Sequence, residues 1–396
     1  MKTYICIVCL VAVVSAADPD AERATKLSKG SNRFSQNLYQ QTALNDSNSI
    51  FSPLSIHQAL SLTSLGARQE TNSELSRVLG LNAIPGDSNQ PHETYKYINE
   101  QLINATDVEV LTANAMFVNP SLTIESPFIA SARNYYQAEV SNFDLSAPGG
   151  PEKNINDFVS NKTKGLIKNL LQSGTIDAST VLALINTLFF NGTWQKHFLT
   201  SRTQKSDFHT PNGIVQLDTM FDERSINLKR NFYDADVGEL VFRGGRFSFV
   251  ILLSRTANGS SDQEKSLTIP GRIESLFQGL TPTQVKLSLP KFKLESTYEL
   301  NTPLKSLGIV KAFSPGQANF TGISSAGGIY ISKVLHKAVI DVTETGTVAA
   351  AATAVILSRT AAVQPPTETF YVKYPFLYFL YDRQLELIVF QGKFSG

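Results

Sequence analysis

The sequence predicts an α+β fold in a single large domain, with helices gathered towards the N-terminus and large mixed and antiparallel β-sheets after them. Three observations carry this. Before residue 109, apolar residues recur at helical spacing between capping signals. After it, apolar residues alternate or run unbroken through short segments. No linker, repeat or long low-complexity tract divides the chain, since the Gly/Pro/Ser-rich patches at 146–151 and 258–262 are only loop-sized.

Each element has its own signal. Ser52 before Pro53 supplies a hydroxyl cap and a proline at the first helical position, and Ala59, Leu62 and Leu65 keep the helical period up to Gly66. Thr71-Asn72-Ser73-Glu74 has the form of a capping box, with Gly80 closing that helix. The run 181–190 is apolar at every alternate pair, as in a strand covered on both faces, and 248–253 is similar. Val285, Leu287 and Leu289 alternate with Lys286 and Ser288, which predicts a half-exposed strand. Ala338, Ile340 and Val342 alternate with Lys337, Asp341 and Thr343 in the same way, Val339 excepted. Segments 376–381 and 385–390 read as a buried hairpin turned at Asp382-Arg383.

The first sixteen residues stand apart. Lys2, the short apolar core Ile5 to Val14 and the small residues Val14-Ser15-Ala16 have the pattern of a cleaved signal peptide, too short to span a bilayer. The expected division is a signal at 1–16 and one domain at 17–396, a secreted, extracellular protein with no membrane anchor. Both cysteines, Cys6 and Cys9, lie in the signal, so the remaining chain has neither disulfide nor cysteine-based metal site and must be held by its own core. About 380 residues suffice for that. The formal charge of +1 comes without a basic block, which argues against nucleic acid or an acidic membrane as partner. Sequons at Asn45, Asn104, Asn161, Asn258 and Asn319 are glycosylation candidates, and a sixth at Asn191 adjoins an apolar run and is expected to stay bare. The five histidines are scattered without metal-ligand spacing, and no Gly-x-Ser-x-Gly, phosphate-cradling glycine loop or catalytic cysteine is present. No enzyme activity, metal or cofactor is expected.

One segment does not suit a resting fold. From Gly346 to Gln364 the chain is small, apolar and nearly uncharged, and proline returns only at Pro365. A buried alanine-rich helix is one reading, but Val348, Val355, Ile356 and three threonines are mediocre helix formers and leave no stripe. The other reading is a chain able to become a strand. Thr347, Ala349, Ala351, Thr353, Val355 and Leu357 would then share one face, with no charge before Arg359 and with Gly346 as pivot.

The chain resembles the serpin family of protease inhibitors, through six matches spread over most of its length. These are Asn48-Ser49-Ile50-Phe51-Ser52-Pro53-Leu54-Ser55-Ile56 continued by 62–71, then 186–194 ending at Trp194, then Leu289-Pro290-Lys291-Phe292, His336-Lys337-Ala338 and Tyr374-Pro375-Phe376. The impression is strongest towards secreted arthropod serpins, including salivary ones of ticks. The resemblance implies a serpin fold with an exposed reactive-centre loop and a suicide mechanism. A target serine protease cuts the loop, is held as an acyl-enzyme, and is deformed when the freed segment enters the main sheet.

Residue roles follow from the same resemblance. Glu344, Gly346, Thr347, Ala349, Ala350, Ala351 and Ala352 look like an inhibitory hinge, departing from the family only at Val348, where Glu is common. Ser52, Ser55, Asn186 and His336 look like the cluster controlling sheet opening, and Trp194, Lys291 and Glu344 like the loop's entry point. Phe158 stands where many members have Trp. For the bait, a shorter loop gives Arg359-Thr360 and trypsin-like targets; the commonest loop length gives Thr360-Ala361 and elastase-like ones. The favoured reading is Arg359. The partner implied is the protease, held covalently by a monomeric inhibitor. Glycosaminoglycan binding is not indicated, because 71–105 and 126–140 hold few Lys and Arg, and the pair Lys229-Arg230 is read as merely solvated. A non-inhibitory serpin acting as carrier or storage protein is the alternative.

Overall fold

A computed structural model describes residues 18–44, 47–347 and 368–396. Its helices are α1 (Pro19–Thr42), α2 (Pro53–Gly66), α3 (Gln69–Leu79), α4 (Gln90–Ile103), α5 (Ser126–Tyr136), α6 (Pro151–Lys162), α7 (Ser260–Ser266), α8 (Arg272–Leu276) and α9 (Asn301–Ser306). The strands are β1 (Ser49–Phe51), β2 (Val108–Val118), β3 (Glu139–Asn142), β4 (Leu182–Gly192), β5 (Thr203–Thr210), β6 (Gly213–Phe232) and β7 (Ala235–Val241). They continue with β8 (Phe247–Ser254), β9 (Thr281–Pro290), β10 (Phe292–Glu299), β11 (Lys333–Val342), β12 (Glu368–Tyr371), β13 (Phe376–Asp382) and β14 (Leu387–Phe394).

Two sheets organise the molecule. Five strands in the order β10-β11-β4-β2-β3 form the sheet that concerns function, and nine form the second, with β13 and β14 deep in its buried middle. In the five-stranded sheet β4 and β11 are parallel neighbours between antiparallel pairs. The main core lies between the sheets and the helices α1 to α5. A second core lies on the outer face of the five-stranded sheet, where Ile155 and Val159 of α6 cover Ala113, Ile185 and Val339.

Most expected elements are present with small shifts, and the departures have physical causes. Ser52 caps α2, its hydroxyl accepting from the Ser55 N–H at 3.2 Å. The capping box at Thr71 is not one: α3 begins at Gln69, Thr71 Oγ1 instead accepts from the Asn319 N–H, and Glu74 Oε2 accepts from the Val310 and Lys311 N–H groups. Both side chains are drawn to an adjoining segment. Gly80 does close α3, in left-handed backbone. β11 is not half-exposed, because Ile167, Leu170 and Leu171 of the segment after α6 share a buried cluster with its Leu335 and Val339, and Lys337 bonds the Lys168 carbonyl of that segment while pairing with Glu295. The pair Lys229-Arg230 is not merely solvated either. Lys229 donates to the Ser275 and Gln278 carbonyls, and Arg230 bridges Asp236 and Glu368. Helices also continue beyond residue 109, with α5 to α9 set between strands.

Candidate functional site

The feature that stands out is a seam in the five-stranded sheet. β4 and β11 pair from Lys333↔Ala183 to Ala338↔Leu188 and then part. Above that row, Val339 to Val342 pair only with β10, and Phe189 to Gly192 only with β2, among the described residues. The two middle strands therefore present unpaired edges to one another near their C-terminal ends, an arrangement that accepts a further strand.

Residues 343–347 sit at the mouth of this opening. The Thr347 N–H donates to the Gly192 carbonyl at 2.9 Å, and the Gly192 N–H donates to Thr347 Oγ1 at 3.0 Å. Thr347 is wholly buried. Gly346 makes this approach possible, because a Cβ there would lie 1.9 Å from the Gly192 carbonyl oxygen. Trp194 anchors the turn that precedes them. Its backbone N–H donates to the Thr345 carbonyl, its indole N–H to the Thr343 carbonyl at 2.8 Å, and its ring stacks on Phe242 at 4.6 Å.

Glu344 is held at the same place by a lysine. Lys291 Nζ lies 2.9 Å from its carboxylate and the Thr203 hydroxyl donates to it at 2.8 Å. Burial raises the carboxyl's pKa, but the Lys291 and Thr203 hydrogen bonds and the lysine charge outweigh that, leaving it below the ordinary range. The strand edge behind is stiffened by Arg224, which donates to the Lys196 and His197 carbonyls, pairs with Asp222 and lies over the Phe198 ring. Phe198 in turn donates its N–H to the Glu344 carbonyl.

Lower in the seam lies a buried polar cluster. His336 and Asn186 face each other across β11 and β4 in one register row, and Asn114 of β2 continues the row. The Ser52 N–H donates to His336 Nε2 at 2.9 Å, so the ring proton sits on Nδ1 and is donated to Asn186 Oδ1 at 2.9 Å. Ser55 Oγ donates to the same oxygen, and Asn186 Nδ2 donates to the Ser55 carbonyl. Full burial pushes the His336 pKa down to about 3, so the ring is neutral at physiological pH.

The structure thus brings together Ser52, Ser55, Asn186 and His336 in one cluster, and Trp194, Lys291, Glu344, Gly346 and Thr347 in another. Ala349 to Ala352 and the bait candidates Arg359, Thr360 and Ala361 lie outside the described residues, as does Asn45. Asn104, Asn161 and Asn258 are exposed, Asn191 is half-buried, and Asn319 is half-buried with its side chain tied to Gln69 and Thr321. Phe158 is half-buried and packs edge-on against Phe117. Residues at the site that sequence reasoning missed are Gly192, Thr203, Phe242, Asn114 and Gln58, whose Oε1 accepts from Asn114 Nδ2. Of these only Gly192 left a signal, a glycine at the end of a largely apolar strand. Among the described residues no helix is long and apolar enough to cross a membrane, and no group of three or more His, Cys, Asp or Glu could hold a metal.

A parted seam above the buried row His336–Asn186–Asn114, with residues 343–347 docked at its mouth, leaves two strand edges of this sheet unpaired among the described residues. Residues 29–396 match the model of the family described as Serpin (serine protease inhibitor), and the chain belongs to the serpin family. Among its relatives, human Serpin B4 is 32% identical over 390 residues, covering 93% of this chain and 99% of that protein. The crystal structure of Serpin48, described as a highly specific serpin of the insect Tenebrio molitor, is 32% identical with a TM-score of 0.83, covering 94% of this chain and 98% of that one. Human thyroxine-binding globulin complexed with its hormone has the same fold at 26% identity and a TM-score of 0.82, covering 94% and 98%. Its fold and family thereby agree with the resemblance read from the sequence.

Proposed function

We propose that this chain is a secreted, monomeric inhibitor of serine proteases that acts once, by loop cleavage, acyl-enzyme trapping and insertion of the hinge between β4 and β11. The observation that carries the reading is Thr347, already seated against Gly192 at the head of two unpaired strand edges. From there the sequence offers only uncharged residues as far as Ser358. A strand of that length forms about ten backbone hydrogen bonds, each contributing about 0.5–1.5 kcal/mol net, or on the order of ten kcal/mol together. That suffices to distort a catalytic triad held by a few hydrogen bonds. Lys291, Glu344 and Trp194 position the start of the strand; Ser52, Ser55, Asn186 and His336 exchange bonds as it passes.

Arg359-Thr360 is the proposed reactive bond, with trypsin-like targets, because the Arg charge is what a trypsin-like pocket binds. Export through the signal at 1–16 and glycosylation at the exposed Asn104, Asn161 and Asn258 belong to the same reading. The likeness to thyroxine-binding globulin keeps a second reading in view, a carrier serpin that does not inhibit.

The test is incubation with trypsin and, separately, pancreatic elastase, followed by denaturing gels and mass spectrometry. The expected result is an SDS-stable complex with trypsin and a released fragment beginning at Thr360. Complex with elastase alone and a fragment beginning at Ala361 moves the bait to Thr360. Cleavage by both without complex, and no gain in heat resistance on cleavage, makes the carrier reading the better one.

A further inference from the structure

We infer that Gln58 is a brake on sheet opening, a third rung by which α2 holds the strands on either side of the seam together. This rests on the insertion reading above. The cap of α2 and two residues of the helix, spaced by three, meet three successive strands. The Ser52 N–H bonds His336 on β11, Ser55 bonds Asn186 on β4, and Gln58 Oε1 accepts from Asn114 Nδ2 on β2 at 3.3 Å. Three residues of helix rise about 4.5 Å, and neighbouring strands lie about 4.8 Å apart. The helix thus works as a ruler laid along the row His336–Asn186–Asn114. A strand entering between β11 and β4 nearly doubles their separation, so the three rungs cannot all survive it.

The anchoring of α2 decides which rungs give. Its start belongs to the β11 side. Ser52 Oγ donates to the Val389 carbonyl of β14, β1 just before it pairs with β14, and the Ile50 N–H donates to Ser296 of β10. The other side comprises β4, β2 and β3 together with α4, which leads into β2, and α5, which leads into β3. Gln58 rides on the first body and grips the second twice. Its carbonyl accepts from Asn114 of β2, and its Nε2 donates to Asn99 Oδ1 of α4 at 2.6 Å. Asn99 then donates to the Tyr135 carbonyl of α5 at 3.1 Å. Gln58 is about 1% exposed and Asn114 about 7%, so no water replaces these bonds cheaply as they stretch. Gln58 is a positioning residue, acting on the reaction through the strands.

The measurement uses the sole tryptophan, Trp194, whose indole N–H binds the hinge turn and whose fluorescence reports a strand arriving beside it. A synthetic peptide copying residues 347–358 is annealed to the intact protein without protease, and the native and loop-cleaved forms are melted. Gln58→Leu is expected to take up the peptide about tenfold faster, and Asn99→Ala, which loses half the grip at a half-buried position, about fivefold faster. Native Gln58→Leu should melt lower, while the cleaved form melts as wild type, because there the clasp is already broken. Unchanged uptake in both variants, or equal loss of stability in native and cleaved forms, overturns the inference and makes Gln58 an ordinary packing residue. If Gln58→Leu does not fold, Asn99→Ala alone decides. A wild type that neither takes up peptide nor gains heat resistance on cleavage overturns the insertion reading itself, and the brake with it.

Discussion

Thr347 is enclosed on all sides, and its hydroxyl oxygen is used by the Gly192 N–H. Thr347→Arg would place a guanidinium in a wholly buried position, a burial that costs several kcal/mol unless the charge is paired. Insertion then becomes slower than deacylation, and the expected outcome is conversion from inhibitor to substrate. Gels would show the cleaved chain and free active protease; full covalent complex from the Arg variant would contradict the insertion account. At this scale the sequence was most informative where chemistry restricts choice. Gly346 reads as a pivot from its lack of a side chain, and the structure gives the sharper reason that a Cβ would strike the Gly192 oxygen. His336, Asn186, Ser52 and Ser55 entered through the family resemblance, since no spacing places residues on α2, β4 and β11 side by side. Gln58 and Asn114 are legible only in three dimensions. Each is an ordinary polar residue until the register row and the helix crossing it are known.

Helix α2 bonds the strands on both sides of the seam, and its cap does two things at once. Ser52 Oγ accepts from the Ser55 N–H and donates to the Val389 carbonyl, while the residue's own N–H holds His336. Ser52→Ala keeps the last bond and loses the others. Loss of a helix cap costs about 0.5–2 kcal/mol, and the orphaned Val389 carbonyl adds to that. The native melting temperature should fall accordingly, with spontaneous loss of inhibitory activity on warming faster than in wild type; an unchanged melting curve would show that the cap is dispensable. Elements with strong periodicity or punctuation were readable in advance, among them α2, β4, β8 and the β13–β14 hairpin. Helix α1 was not. Its buried face carries Ser28, Ser31, Asn32, Ser35 and Gln36 among the apolar residues, which breaks the hydrophobic stripe; Asn32, Ser35 and Gln36 bond to β14 and the residue before it. β11 was placed correctly but read as half-exposed, because a strand's sequence does not announce that the segment after α6 will cover it.

The whole molecule has an acid sensitivity written into three buried histidines. Burial pushes His57 and His92 down to about 4 and His336 to about 3, from an ordinary value near 6.5. The unfolded chain binds protons on these rings below about pH 6.5, where the native rings stay neutral, so stability is full above that pH and falls as pH drops towards 4. Each histidine contributes up to about 1.4 kcal/mol per pH unit across that window. Thermal melts of the native form between pH 7.5 and 4.5 should show this slope, and it should shrink in a His92→Gln variant; a flat profile would mean the rings find other partners when protonated.

Strand direction has a consequence of its own. β4 and β11 ascend side by side, each flanked on its far side by a descending neighbour. A segment that starts at Thr347 and heads down the seam therefore runs against both. One slanted, slightly weaker kind of pairing gives way to two of the stronger kind, and the alternation up and down becomes regular from β10 to β2. On the insertion reading the sheet is a weave with one thread left out, and the order of its neighbours says which way that thread would run.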